Sequence, residues 1–468
     1  MMLGKQSLEK YNNVIIPYLL ATIVRGESFV VTDPEDVILR RIGTKLEQNG
    51  YSIISINLRD PNNSNSWNPL HAAYKAYKQE NLDRCVDLLN SVATIIMLDN
   101  SHTHNSDPFW ELSSINLFIG LALILFREAT DESQININSI YYMAQNGFLK
   151  FGPLTLLDSY FVNFRNDFDI ARNMLSSILS APSDTRCSIM SVFFQKIGEF
   201  AVKEKFSKNL FMNDIVFENI IKSKTAIFIC YEDENNDTAN TLFCKLFLKQ
   251  LYDVLIKTRD VLKTDEKHFH FIFSNFLSLG FLSEIERIVS SAENRNINIL
   301  FDIYSLNALY KLYGKKTSAF LLSHCSTWYI MMIKELELQL LINQFLKTSK
   351  KENSQLKPIF DLRPNEIMVV EDSKDLKIEN VQSSFYSETS YVFKRQNAPI
   401  TTSIFKFDDL VKQKTRDTIL KTNMQNLSSS IPKETELNVD ELIAKIDKKI
   451  AELEINEKIE QATKGRLK

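Results

Sequence analysis

The side chains best equipped for metal chemistry are two histidine pairs, His102 with His104 and His268 with His270. The first pair flanks one residue of a polar stretch, and the second alternates along a strand-like run. A tetrahedral site needs four ligands. Neither pair has a cysteine or carboxylate spaced to complete such a set, so no metal is expected. The five cysteines, Cys85, Cys187, Cys230, Cys244 and Cys325, lie far apart, form no C-x-x-C spacing and sit mostly in apolar runs. That pattern suits buried thiols in a reducing compartment rather than disulfides or zinc. Phosphate chemistry would ask for glycine-rich loops, yet the chain holds only 11 glycines in 468 residues, far below the usual share of ~7%. With Lys+Arg 55 against Asp+Glu 58, the net charge is -3. No bulk positive field draws nucleic acid or an anionic membrane, so any DNA contact has to be local.

The length and the 44% hydrophobic content predict a sizeable core shared between two or three domains. Runs at 28–32, 52–58, 226–231, 269–273, 298–304 and 328–333 are β-branched or aromatic and end in polar or turn residues, as buried parallel strands do. Helical patterns at 37–48 and 238–257 lie between them. Strands alternating with helices predict an α/β fold with a doubly wound sheet. The alternation stops from about 70 to 211, where periodic segments such as 111–127 and 169–179 predict an inserted all-α domain. The apolar run at 117–126 is about half the ~20 residues of a spanning helix and is expected to be buried. Residues 1–11 carry Lys5, Glu9 and Lys10 without an apolar core, so no signal peptide is expected and the chain should begin in the cytosol. Beyond 347 the composition turns to Lys, Glu, Asn, Ser and Gln, with one strand-like run at 367–371. Near the end, Asn438 with Glu441 three residues on makes a capping box. Val439, Leu442, Ile443, Ile446, Ile450 and Leu453 then share one face of the helix it would start.

One ordered set of short motifs says more than any of these residues singly. Asp33-Pro34 closes a strand, Gly50-Tyr51 precedes the next, and Asn57-Leu58-Arg59-Asp60-Pro61 turns toward Trp67-Asn68-Pro69. Asp107-Pro108-Phe109-Trp110 then opens an apolar helix, Lys224-Thr225-Ala226-Ile227-Phe228 lies on a strand, and 276–280 follows another. Arg295-Asn296-Ile297, Tyr304-Ser305-Leu306-Asn307-Ala308-Leu309 and Tyr313-Gly314 complete the series. Over roughly 2–345 the chain resembles conjugative coupling proteins of the TraG and TraD type. The resemblance implies a RecA-like P-loop nucleotide-binding domain at 1–70 and 211–345, with the all-α domain inserted at 71–210. A linker at 346–436 and an amphipathic helical tail at 437–457 would follow. It also implies a ring that moves single-stranded DNA or protein into a type IV secretion channel. The family's membrane-spanning helices ahead of the phosphate loop have no counterpart here, so a soluble shortened form, or a gene that has lost its start, is expected. Such a protein would be cytoplasmic or peripheral to the inner face of the cell membrane, with no transmembrane segment.

Set against that family, the expected chemistry fails at several positions. A phosphate loop G-x-x-x-x-G-K-[ST] wraps phosphates with backbone N–H groups, pairs lysine with the outer phosphates and holds magnesium by a hydroxyl. The aligned segment, Gly4-Lys5-Gln6-Ser7-Leu8-Glu9-Lys10-Tyr11, keeps only Gly4 and Lys10. Glu9 brings a negative side chain where glycine admits phosphate, and Tyr11 puts its oxygen too far out for the metal position. After 271–273, Ser274-Asn275 stand where an Asp-Glu would organise magnesium and orient water. Tyr304 replaces the glutamine that senses the γ-phosphate, and Glu35-Asp36-Val37 replaces a Lys-Gly-Glu. Arg295 matches a family arginine that could reach a ring neighbour's nucleotide or DNA; an arginine after a helix is also an ordinary solvated residue. These losses imply no catalytic residues, no ATP or magnesium cofactor beyond a residual trace, and a coupling-protein-like subunit without hydrolysis of its own. Its partners would be type IV secretion or conjugation proteins, single-stranded DNA, and other subunits of a homo- or hetero-oligomeric ring, with the 439–453 helix as a docking element. The rival expectation is a translocating ATPase subunit completed in a mixed ring by an active paralogue, and a third is a decaying remnant of a mobile element.

Overall fold

A computed structural model describes residues 1–3, 10–34, 36–98, 108–151, 153–164, 169–201, 210, 213–231, 238–262, 267–282, 284–330, 366–371, 375–380, 406, 409–410 and 413. The chain opens with strand β1 (Met2–Leu3) and, past a π-helical turn at Tyr11–Ile15, enters α1 (Ile16–Arg25), β2 (Ser28–Thr32), α2 (Val37–Gln48) and β3 (Ser52–Asn57). Helices follow: α3 (His71–Lys78), α4 (Leu82–Met97), α5 (Phe109–Glu128) and α6 (Ile137–Gly147). A small hairpin of β4 (Lys150–Phe151) and β5 (Leu154–Thr155) precedes α7 (Leu156–Phe164), α8 (Ile170–Leu179), α9 (Ser183–Ala201) and α10 (Phe217–Lys222). The sheet then resumes with β6 (Thr225–Cys230), α11 (Thr238–Leu262), β7 (Phe269–Phe273), α12 (Ile285–Ala292), β8 (Ile297–Ile303), α13 (Leu306–Ser323) and β9 (Thr327–Ile330). Last come β10 (Glu366–Glu371) and β11 (Asp375–Asn380).

Nine strands form one sheet in the order β11-β10-β9-β1-β8-β7-β2-β6-β3. Every pairing from β9 to β3 is parallel, which makes a seven-strand parallel sheet. The β10–β11 hairpin extends it antiparallel, with Met368 opposite Ile330. The strand-like run at 367–371, expected in a linker, is thus part of the sheet.

The central strands are apolar along their whole length because helices cover both faces. On β7 every residue is buried. Ile272 joins Leu19 of α1, Ile42 of α2, Phe29 of β2 and Phe228 of β6 in one core cluster. Phe271, the neighbour of Ile272 along the strand, meets the ring of Tyr252 on α11 at 6.0 Å. Among the described residues, no strand between β3 and β6 enters the main sheet. Helices fill that interval, as the periodicity predicts, but the β4–β5 hairpin breaks the all-helical expectation. Helix α5 is buried on all sides from Leu117 to Phe126. Among the described residues it is the one helix long and apolar enough to cross a membrane, and most of that window is buried.

Trp67 packs the segment after β3 against α10 and α11. It is 1% exposed, and its ring packs on Phe243 and Phe247 of α11 and on Phe217 of α10. Around it, Asn68 Nδ2 donates to the Ile135 carbonyl and Gln250 Nε2 to the Pro69 carbonyl at 2.9 Å. By its contacts the chain divides into Met1–Asp408 and Asp409–Lys468. The secondary structure above belongs to the first unit, and the helix expected at 437–457 lies outside the described residues.

Candidate functional site: the corner around Lys10

Strand β1 is only two residues long, yet it lies between β8 and β9, with Met2 opposite both Asp302 and Tyr329. Leu3, opposite Ile303, therefore ends β1 beside the end of β8. Lys10 stands there as the residue before the π-helical turn. Gly4, Glu9 and Glu35 lie outside the described residues.

Lys10 is buried, and its Nζ is paired with Asp302 Oδ1 on β8; the two side chains are 1% and 4% exposed. Burial pulls the ammonium below the ordinary lysine range, and the neighbouring Asp302 carboxylate works against that pull. The second oxygen, Asp302 Oδ2, accepts the Asn275 backbone N–H at 3.4 Å. Asn275 is left-handed (φ 55), a conformation asparagine tolerates better than most residues. Beside it, Ser274 Oγ donates to Tyr11 Oη at 3.0 Å, and Thr32 Oγ1 donates to the Ser274 carbonyl at 2.9 Å. All six residues, Lys10, Tyr11, Thr32, Ser274, Asn275 and Asp302, are buried. They come from the ends of β2, β7 and β8 and from the turn before α1.

The structure thus brings Lys10, Tyr11, Ser274 and Asn275 together, as the resemblance implies. It adds Asp302, which sequence reasoning missed. The signal was present as a single carboxylate inside the apolar run Ile299-Leu300-Phe301-Asp302-Ile303. An ionised side chain there requires a partner. Tyr304, just past β8, is 42% exposed and lines a cleft that Asn275 also lines. Arg295 is half-buried and donates from Nη1 to the Ser291 carbonyl at 3.1 Å, closing the end of α12.

Asp33 does structural work at the next strand end. Its carboxylate accepts the backbone N–H groups of Val37, Ile38 and Leu39 at 3.0, 2.8 and 3.1 Å, capping α2. Burial pushes this carboxyl up to about 7, against the downward pull of those N–H groups. Asp36, φ 56, carries the chain into α2, and its carboxylate accepts Arg40 Nε at 2.9 Å.

Lys10 Nζ is engaged by Asp302, Tyr11 Oη accepts the Ser274 hydroxyl, and Ser274 and Asn275 carry no carboxylate. Among the described residues no group of three His, Cys, Asp or Glu could hold a metal ion. His270 instead sits in a structural network: Nδ1 faces Tyr18 Oη at 2.8 Å and Nε2 faces Glu27 Oε2 at 3.0 Å. Its neighbour in the pair, His268, is exposed, and His102 and His104 lie outside the described residues. The thiols are unpaired: Cys85, Cys230 and Cys244 are buried and Cys325 partly so, whereas Cys187 is exposed, against the expectation for apolar runs.

A cleft of ≈ 1050 Å³ opens where α4 and α9 face α11 and the ends of β6, β7 and β8. Its lining mixes the cations Arg84, Lys196, Lys245 and Lys249 with the carboxylates Asp87, Glu199, Asp253 and Glu284, and Lys249 is held by Asp253 at 2.6 Å and Glu284 at 3.3 Å.

A parallel sheet wound on both faces, with a lysine-bearing turn between β1 and α1, defines a RecA-like P-loop fold, and solved structures agree. The protein described as bacterial conjugative coupling protein TrwBdeltaN70, in complex with sulphate, matches with a TM-score of 0.59 at 10% identity, covering 84% of this chain and 87% of that one. Plasmid coupling protein TrwB in complex with a non-hydrolysable ATP analogue matches at 0.58 with 11% identity, covering 85% and 88%. The family model described as Type IV secretory system Conjugative DNA transfer matches residues 10–344, and the chain belongs to that family. No curated protein matches the sequence.

Proposed function

We propose that this protein is a coupling-protein-like component of a conjugative type IV secretion apparatus that recruits or passes substrate without hydrolysing ATP. The observation that carries the reading is the buried Lys10–Asp302 pair with Ser274 bonded to Tyr11. Together they leave the corner with neither a lysine available to phosphate nor a carboxylate able to organise magnesium. Loss of electrostatic stabilisation in phosphoryl transfer costs ~10²-fold or more for each group removed, so the combined losses leave no useful turnover.

Membership of the conjugative DNA transfer family supports partners among secretion and conjugation proteins and DNA, within a ring of like subunits. The apolar stripe from Val439 to Leu453 suits docking on such a partner, and the net charge of -3 fits a subunit whose contacts with DNA are local. The test is phosphate release by the purified chain with magnesium, ATP and single-stranded DNA. Background release is expected. Magnesium-dependent, DNA-stimulated turnover in the range ~1–100 s⁻¹ seen for many phosphoryl-transfer enzymes would overturn the reading.

A further inference from the structure

A lysine ammonium removed from water needs a counter-charge, and in a phosphate loop the nucleotide supplies it. Here the chain supplies its own. We propose that the Asp302 carboxylate is the resident ligand of this corner, taking on Lys10 the place a phosphate oxygen would take, so that the corner keeps an occupied arrangement with no nucleotide present. The inference rests on reading the corner as a remnant phosphate site.

Three observations support it. Lys10 and Asp302 are 1% and 4% exposed, too enclosed for water to share the charge. The other Asp302 oxygen is held by the Asn275 N–H, at 3.4 Å, and that N–H is available because Asn275 takes up the left-handed conformation. The adjoining position is closed by the Ser274 hydroxyl donating to Tyr11 at 3.0 Å. A phosphoanion can therefore reach Lys10 only by displacing a carboxylate that is hydrogen-bonded on its far side. On this proposal the native chain is blind to phosphoanions, whereas a chain without the carboxylate leaves the Lys10 ammonium without its counter-charge.

The experiment is thermal unfolding of the full chain with and without inorganic pyrophosphate. The native midpoint should not move with pyrophosphate. Asp302→Ala should unfold several degrees lower, and pyrophosphate should return part of that loss. Asp302→Asn, which keeps the shape but not the charge, should respond in the same direction. In the double variant Lys10→Met with Asp302→Leu the midpoint should return toward native and the pyrophosphate response should vanish, which identifies Lys10 as the group that receives the anion. If both single variants fail to fold, refolding them in pyrophosphate decides: recovery of folded chain supports the proposal and no recovery overturns it. It is likewise overturned if pyrophosphate stabilises the native chain as much as Asp302→Ala, or if the single variants fold and ignore it. None of these readouts involves ATP turnover, so the non-hydrolysing reading stands or falls separately.

Discussion

The Lys10–Asp302 ion pair is buried, and its energetics are asymmetric. Removing one partner of such a pair strands the other charge and costs ~3–5 kcal/mol, while replacing both by apolar side chains of similar size is often close to neutral. Lys10→Met alone is therefore expected to lose ~3–5 kcal/mol in urea unfolding, and Lys10→Met with Asp302→Leu to regain most of it. Additive losses would show that the two side chains do not act as a pair. His270 gives a pH signature at the opposite end of its strand. Burial pulls its imidazole down to about 4, with Glu27 acting against the shift. The unfolded chain, with an ordinary value of ~6.5, takes up the proton first as the pH falls. The His270 contribution is thus complete above ~6.5 and is lost between there and about 4. A shift of this size is worth roughly 3 kcal/mol. The stability difference between native chain and His270→Phe, measured by urea unfolding, should therefore narrow by about that amount across the interval. A difference that stays constant with pH would contradict the assignment.

Two packing contacts outside the corner test the elements around it. Trp67 wedges between α10 and α11, its ring 5.2 Å from that of Phe247 and 5.3 Å from that of Phe243. Truncating a buried tryptophan costs ~3–5 kcal/mol, so Trp67→Ala should lower the unfolding midpoint strongly without touching any residue of the phosphate corner. In the helical insertion, α5 crosses α8 at Gly120, where an added Cβ would lie 2.5 Å from Leu175 Cγ and 3.2 Å from the Ala171 carbonyl oxygen. Overpacking of this kind costs ~1–3 kcal/mol, more than the ~1 kcal/mol that leaving glycine returns in helix propensity. Gly120→Val is expected to destabilise the chain in calorimetry, and a higher melting temperature would mean that the two helices can move apart freely.

At the scale of the molecule, the sheet, the inserted helices and the corner all fall within Met1–Asp408. A chain ended at Asp408 should keep the unfolding midpoint of the full protein within a degree or two. Capture of a secretion partner should be lost with the apolar stripe of 439–453. If the truncation instead melts well below the full chain in circular dichroism, residues past 408 are part of the core. The exposed Cys187 offers a labelling site for following either chain, since the buried thiols should react only on unfolding.

Strand and helix identity was legible in the sequence because it depends on local pattern. The runs at 28–32 and 269–273 and the helix at 37–48 form where the apolar spacing places them. The ordered motifs carried the family, and the losses at Glu9, Tyr11, Ser274 and Asn275 carried the doubt about its chemistry. Strand β1 was not legible, since two residues have no periodicity, and β10 looked like part of a linker because nothing local says which strand a short run will pair with. Nor could spacing show what became of Lys10. It and Asp302 are 292 residues apart and meet only because the sheet order sets β1 against β8. Sequence alone determined that Glu9, Tyr11, Ser274 and Asn275 depart from the family's phosphate-site pattern. Only the tertiary structure decided that the surviving lysine is neutralised by the chain itself, because a buried charge takes its partner from whatever strand the topology brings beside it.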